Sequence, residues 1–482
     1  MAKRTLRASA SAAHLATVRH YVIAYTRRRN VHHAPCHVFL QMASPTSVNS
    51  ASESALPDNA QDSGILRRAI LLKPGEGRAL LWAGAYFFFL LFSFYLLRPV
   101  REAMGISRGA DKLPWLMTGT MLVTLLAYPL YATLVSRLTR RRFIPWTCHF
   151  FATNLALFFL LFRMLPDHGG AMLGYAFYIW LSVFNLFVVS VFWGFMADMF
   201  NEEQGKRLFG AISIGGTLGA IAGAAATDAF SRGTIGVQLE TSTLLLISIV
   251  MLELAVACML RVAQHFAVPR ERVVARDPGP NFSEGMRLIA HSRYLQMIAL
   301  YIVLFTITST FLYLLQGQIV ERSFSGNAAR TAAFAQIDFW TNVLTLATQA
   351  LITGRLLRNV GVARVLLVLP VLTLFGFAAL MIWPVFAALA VVMVLRRGLH
   401  YAIDRPAREV LYIPLGPEEK YKSKPFIDTF IYRGGDFIGV WLPTWLGLLS
   451  IAAGPAALVI TATWIVAGAS LGRMTGSKHS PH

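Results

Sequence analysis

Several charged side chains in this 482-residue chain lie inside apolar stretches, and their types and spacing suit the holding of an anion. A charge near the centre of a bilayer costs roughly 2.5–3.5 kcal/mol even on the lenient insertion scale, so each needs a partner or a watery cavity. Asp428, Tyr432 and Asp436 recur every four residues and so share a helix face, and Arg433 is close enough to Asp436 to pair with it. Two readings of this group stand open: an ion pair that locks one helix to a neighbour, or a substrate or gate group. Asp338, Asn342, Thr345 and Gln349 form one polar stripe on an otherwise apolar helix. A cavity-facing stripe is favoured over one that hydrogen-bonds to a neighbouring helix. Finally, Arg98-Pro99-Val100-Arg101-Glu102 and Arg405-Pro406-Ala407-Arg408-Glu409 match at four of five positions, each closing an apolar run.

Other chemistries find little support. Cys36, Cys148 and Cys258 form no CxxC or Cys/His constellation, so neither a metal site nor a disulfide framework is expected. No GxxxxGK[ST] string is present, which excludes a P-loop ATPase. No cofactor is expected.

The elements that position these side chains follow from composition. Hydrophobic residues make up 56% and charged residues 14%, against roughly 25% charged in a soluble domain, so a soluble enzyme is excluded. Apolar runs, each of about 20 residues or more, predict an all-α polytopic membrane protein. Twelve transmembrane helices are expected near 80–103, 113–135, 143–165, 171–199, 208–230, 241–261, 294–317, 332–353, 363–382, 384–403, 426–449 and 451–471. The domain reading is a basic and polar segment 1–78, a six-helix half 79–261, a polar linker 262–293, a second six-helix half 294–472 and a tail 473–482. Two six-helix halves around a central cavity are the major facilitator architecture, in which spans one, four, seven and ten are equivalent. The Arg-Pro motifs close spans one and ten and so read as opposed gates.

The net charge of +20 suggests a nucleic-acid partner until the basic residues are placed. With both termini cytoplasmic, 22 of the 44 Lys and Arg fall at the inner face and 8 at the outer, as the positive-inside rule expects. No nucleic acid is therefore expected as a partner. The expected partners are the lipid bilayer and a small anionic substrate, with no obligate protein partner. Residues 1–52 contain no Asp or Glu. An upstream start codon, with Met42 opening the true chain, is favoured over a transit peptide, and disorder is expected to about Ile65. Gly215, Gly219 and Gly223 read as a close-packing face. The aromatic run from Phe87 to Phe94 reads as bulk, and Glu253 and Asp228 as lone structural acids.

The strings YLLRPVREAMG (95–105), VSVFWGFMADMFNEEQGKRLFGAISIGGTLG (189–219), RPAREVLYIP (405–414) and EEKYKSKPFIDTFIYRGGD (418–436) resemble those of one family. It is the ATP/ADP antiporter family, the nucleotide translocases of plastids and intracellular bacteria, and more closely its NTP/NDP exchange transporter-like branch in free-living bacteria. The resemblance covers about 78–471. It implies a major facilitator fold, no enzymatic activity, and exchange of nucleotides or related organic anions across a bacterial inner membrane. Nucleotide-transporting members carry Leu-Arg-x-x-Lys-Asp at the end of the first span, where this chain has Leu97-Arg98-Pro99-Val100-Arg101-Glu102. Charge is kept, but Arg presents a planar fork where Lys presents a point charge. The resemblance also implies an acidic residue in span four, which has no assigned position here, the chain reading Phe184-Asn185-Leu186.

The resulting substrate-binding set is Arg98, Arg101, Glu102, Asp338, Asn342, Arg433 and Asp436. The gate and coupling set is Lys206, Arg207, Asp404, Arg405, Arg408, Glu409, Lys422, Lys424, Asp428 and Tyr432. Two rival readings are a proton-coupled facilitator for another solute, with Asp338, Asp428 or Asp436 carrying the proton, and a membrane module that transports nothing.

Overall fold

Long apolar runs become helices because hydrocarbon offers no partner to a free N–H or C=O, and a helix pairs them all within the segment. The computed structural model describes residues 73, 76–137, 140–165, 170–234, 236, 238–265 and 282–478. The start-codon and disorder expectations for the N-terminal segment lie outside these residues, as do residues 266–281 of the polar linker.

The first half contains α1 (Glu76–Gly105), α2 (Leu113–Arg137), α3 (Arg140–Met164), α4 (Gly170–Met199), α5 (Glu202–Arg232) and α6 (Thr241–His265). The short α7 (Phe282–His291) precedes the second half. That half contains α8 (Arg293–Ser323), α9 (Asn327–Thr348), α10 (Gly354–Asn359), α11 (Val362–Ile382), α12 (Phe386–Leu399), α13 (Arg405–Val410), α14 (Pro417–Phe426), α15 (Tyr432–Leu448) and α16 (Ala453–Lys478). Three π-helical turns carry α9 into α10 (Gln349–Thr353), α12 into α13 (His400–Asp404) and α14 into α15 (Ile427–Ile431). Nine helices among the described residues are long and apolar enough to cross a membrane. Helices also cover the remaining expected spans, as α2, α9 and α15.

Local chemistry sets the boundaries. Asn201 and Gln204 form a reciprocal capping box at the start of α5, and Gly233, at φ 69°, closes its end. Ser292 caps α8 by accepting from the Leu295 amide.

Inside the first half, α5 lies directly on α1. A Cβ at Gly219 would stand 2.2 Å from the Phe88 carbonyl oxygen, so the expected close-packing face is real and is directed at α1. Thr227 donates to the Leu96 carbonyl and Ser93 pairs with Ser248 on α6, tying three helices at depth. The aromatic run packs as bulk: Phe87 stacks on Phe192 with ring centroids 4.1 Å apart. Glu253 is not alone, since its carboxylate is 3.0 Å from His149 Nδ1, and Asp228 accepts from Arg232.

The end of the bundle where α1 begins is called the near end, and the end where α1 finishes the far end. At the far end an apolar cluster joins Ile106, Leu113 and Tyr178 of the first half to Phe311, Leu314, Phe334 and Leu389 of the second. Trp441 Nε1 donates to Thr118 Oγ1 there, and Arg330 Nη1 donates to the Ile106 carbonyl.

Candidate functional site

A cavity of about 210 Å³ lies between the halves, lined mainly from α1, α8, α9, α12, the π turn after α12, and α15. Asp338 on α9 is its most heavily shared acid and only 2% exposed. Its Oδ1 accepts from Arg98 Nη1 at 3.0 Å and from Arg397 Nη2 at 2.8 Å, so one carboxylate oxygen bridges α1 of the first half and α12 of the second. Such charge-assisted bonds are the strong kind, and two arginines on one acid leave that trio net positive.

Arg396, beside Arg397, lines the same cavity and is 4% exposed. Its acceptors are neutral: Thr373 Oγ1 at 3.1 Å, Ser309 Oγ at 2.9 Å, Thr308 Oγ1 at 3.3 Å and the Phe305 carbonyl at 3.4 Å. The nearby carboxylate of Asp404 is engaged elsewhere, by Tyr301 (2.8 Å), His400 (3.0 Å) and Arg408 (3.3 Å). The Phe305 ring carries His400 stacked on it at 4.4 Å and Arg408 at 5.0 Å. Permanent positive charge held by hydroxyls and a carbonyl, and facing a cavity, is a site prepared for an anion.

The far wall is a polar bracket across the halves. Tyr313 on α8 donates to Glu102 Oε2, and its hydroxyl pairs with that of Tyr178 at 2.6 Å. Arg101 stands behind this wall: its Nε donates to the Tyr178 carbonyl, its Nη1 to Glu102, and its guanidinium lies 4.0 Å from the Tyr178 ring centre. The backbone amide of Ala110 donates to Glu321 just beyond.

The structure brings together Arg98, Glu102, Asp338, Tyr432 and Asp436 of the expected residues at the cavity wall. Asp436 accepts from Thr310 at 3.4 Å and pairs with Arg433 at 3.6 Å, as the spacing predicts. Four expected residues stand away from the cavity wall. Arg101 braces Glu102 and does not line the cavity. Asn342 donates to the Asp338 carbonyl of its own helix, and the lower stripe bonds to neighbouring backbone, with Thr345 to Gly398 and Gln349 to Tyr401. Arg433 is half exposed and off the wall. Asp428 leaves the face of Tyr432 and Asp436 because the π turn at Ile427–Ile431 adds a residue and rotates what precedes it.

Of the gate set, Arg207 makes a bidentate pair with Glu76 at 2.9 and 3.0 Å. Arg408 holds Asp404, Lys424 holds Glu409 at 2.6 Å, Lys422 holds Glu284 at 2.5 Å, and Arg405 is exposed. The Lys206 side chain lies outside the described residues. Sequence reasoning gave no role to Arg396, Arg397, His400, Tyr313 or Gln316; the rule that flagged Asp338, a charge inside an apolar span, applies equally to the two arginines. Among the described residues, no group of three or more His, Cys, Asp or Glu could hold a metal ion.

The same constellation can be set beside known proteins. The family model described as TLC ATP/ADP transporter matches residues 173–474. ADP,ATP carrier protein 1 of Chlamydia pneumoniae is 22% identical over 80% of this chain and 89% of its own length. The chloroplastic ADP,ATP carrier protein 1 of Arabidopsis thaliana is 23% identical over 80% of this chain and 72% of its own. Among solved structures, an auto-inhibited POT family peptide transporter superposes with a TM-score of 0.54 at 13% identity, covering 84% of this chain and 98% of that one. The fold is thus of the major facilitator type. The chain belongs to the TLC ATP/ADP transporter family, a family of membrane transporters and not of enzymes.

Proposed function

We propose that this member of the TLC ATP/ADP transporter family exchanges ATP for ADP, or nucleotides of the same charge class, by alternating access around the cavity between its halves. The observation that carries the reading is Arg396, buried against the cavity with neutral acceptors only. A buried guanidinium without a carboxylate is unfavourable unless an anion arrives to complete it. Arg396, Arg397 and Arg98 hold the phosphates, and the Phe305, His400 and Tyr432 rings give the remainder of the ligand an aromatic wall. At about 210 Å³ the cavity falls below the roughly 300–1,000 Å³ usual for ligand sites, so the halves separate as substrate enters.

In this reading Glu102, Tyr313, Tyr178 and Arg101 form the far gate. Arg207 with Glu76, Arg408 with Asp404, and Lys424 with Glu409 brace the near end; Lys422, Arg405, Asp428 and Lys206 lie with them. Twelve helices cross the membrane in two six-helix halves, 79–261 and 294–472, joined by 262–293. The near end faces the cytoplasm of a bacterial inner membrane with both termini, because the basic residues cluster there. The known relatives named for ATP and ADP support the nucleotide, and the buried arginine favours an anionic solute over a neutral one.

The test is uptake of labelled ATP, and separately ADP, into proteoliposomes that are either preloaded with unlabelled nucleotide or empty. Uptake that depends on preload, ignores a pH gradient and disappears in Arg396→Ala is expected. Folded wild-type protein that takes up neither nucleotide under either condition would remove nucleotides from consideration.

A further inference from the structure

We infer that Asp338 is a built-in stand-in for the substrate's phosphate: its carboxylate occupies the arginines in the empty site, and an incoming polyanion must displace it. The inference rests on the anion-exchange reading above and goes beyond it, because it says what holds the site when no substrate is there. Asp338 is 2% exposed, and its Oδ1 alone receives Arg98 at 3.0 Å and Arg397 at 2.8 Å. A phosphate oxygen makes the same contacts with the same charge-assisted geometry. Arg396 differs, since only hydroxyls and a carbonyl hold it. It is therefore the arginine on which a polyanion lands first.

The placement of Asp338 gives the displacement a mechanical meaning. Arg98 is on α1, in the first half; Asp338 and Arg397 are on α9 and α12, in the second. The carboxylate that is exchanged for phosphate is therefore also a tie between the halves at the depth of the cavity. Asn342 donates to the Asp338 backbone carbonyl, which fixes the helix at that residue while leaving the carboxylate to the arginines. Breaking the Arg98 contact removes the tie at cavity depth and leaves those of the far closure, and rebinding of the carboxylate helps expel the departing anion. A site built this way binds its substrate more weakly than its arginines allow, in return for quick release.

The removal of the carboxylate should therefore tighten binding and slow turnover, the reverse of what the loss of an ordinary ligand contact does. The experiment uses the full-length protein, with binding of inorganic pyrophosphate and of ATP measured calorimetrically for wild type and Asp338→Asn, and ATP exchange measured in proteoliposomes. Pyrophosphate bound at least about tenfold more tightly by the variant, with exchange slowed by a similar factor, is the expected result. Pyrophosphate bound no more tightly by folded Asp338→Asn would overturn the inference whatever ATP does. Tighter pyrophosphate with no ATP binding to either protein would uphold the inference and sink the nucleotide reading.

If Asp338→Asn fails to fold, the double variant Asp338→Asn/Arg397→Gln restores the charge balance and leaves Arg98 with no internal competitor. Pyrophosphate bound more tightly by the double variant than by Arg397→Gln alone supports the displacement, and affinity no tighter than that of Arg397→Gln overturns it.

Discussion

The arginine at position 396 joins two demands that conflict, and the conflict is measurable. Its guanidinium is buried among Thr373, Thr308, Ser309 and the Phe305 carbonyl. Replacing a buried charge with an apolar side chain of similar volume is often neutral or stabilising by about 1–4 kcal/mol. Arg396→Met is therefore expected to unfold at the same or a higher temperature than wild type while its nucleotide exchange falls by roughly a hundredfold or more. Unchanged exchange in that variant would take Arg396 out of the site. The opposite sign is expected at Glu76, whose carboxylate receives two bonds from Arg207, one from Gln204 and one from the Lys73 amide. Glu76→Ala removes all four bonds and should lower the midpoint of denaturant unfolding, part of the loss being recovered by the added Arg207→Met. At this scale the sequence was partly legible. Asp338 and Arg98 stand out as charges in apolar runs, and the structure joins them at 3.0 Å. Arg396 and Arg397 carry the same signal but resemble the basic residues that end a span, and only the fold places them beside a cavity.

The helices themselves follow almost directly from the pattern, because a segment of about 20 apolar residues has few other ways to satisfy its backbone in hydrocarbon. The π turns were not legible, since an extra residue in a helix leaves no mark in composition. Yet they decide which side chains meet: the turn at Ile427–Ile431 rotates Asp428 off the face of Tyr432 and Asp436, and the turn at His400–Asp404 carries His400 onto Phe305. The glycine face of α5 was legible as close packing, and its target is α1. The added methyl of Gly219→Ala would stand 2.2 Å from the Phe88 carbonyl oxygen, a contact that relieves only by moving one helix. The expected outcome is loss of monodisperse protein in size-exclusion chromatography. Gly210 is in the same helix, and a methyl group there would meet nothing within 4 Å. Gly210→Ala should therefore gain about 0.5–1 kcal/mol from helix propensity, read as a higher melting temperature.

At the scale of the whole molecule, the two near-identical charged motifs sit at opposite ends. Arg98 to Glu102 closes α1 beside Tyr313, and Arg405 to Glu409 forms most of α13, next to Leu411, whose carbonyl accepts from Tyr294 at the start of α8. An inverted repeat places equivalent strings in this way, so each end has its own closure built from similar residues. Among the described residues the far closure is made, through Glu102 with Tyr313, Tyr178 with Tyr313, and the Ala110 amide with Glu321. If transport requires that closure to open, tying it must stop the cycle without touching the binding site. In a background with Cys36, Cys148 and Cys258 changed to Ala, the pair Ala110→Cys and Glu321→Cys can be bridged by a short bifunctional methanethiosulfonate. Exchange is expected to fall by at least roughly tenfold on bridging and to return when reductant removes the bridge, while ATP binding in detergent stays near its unbridged value. Full-rate exchange with the bridge intact would mean that the far end does not open during transport, and the substrate would then need a route that does not pass Glu102 and Tyr313.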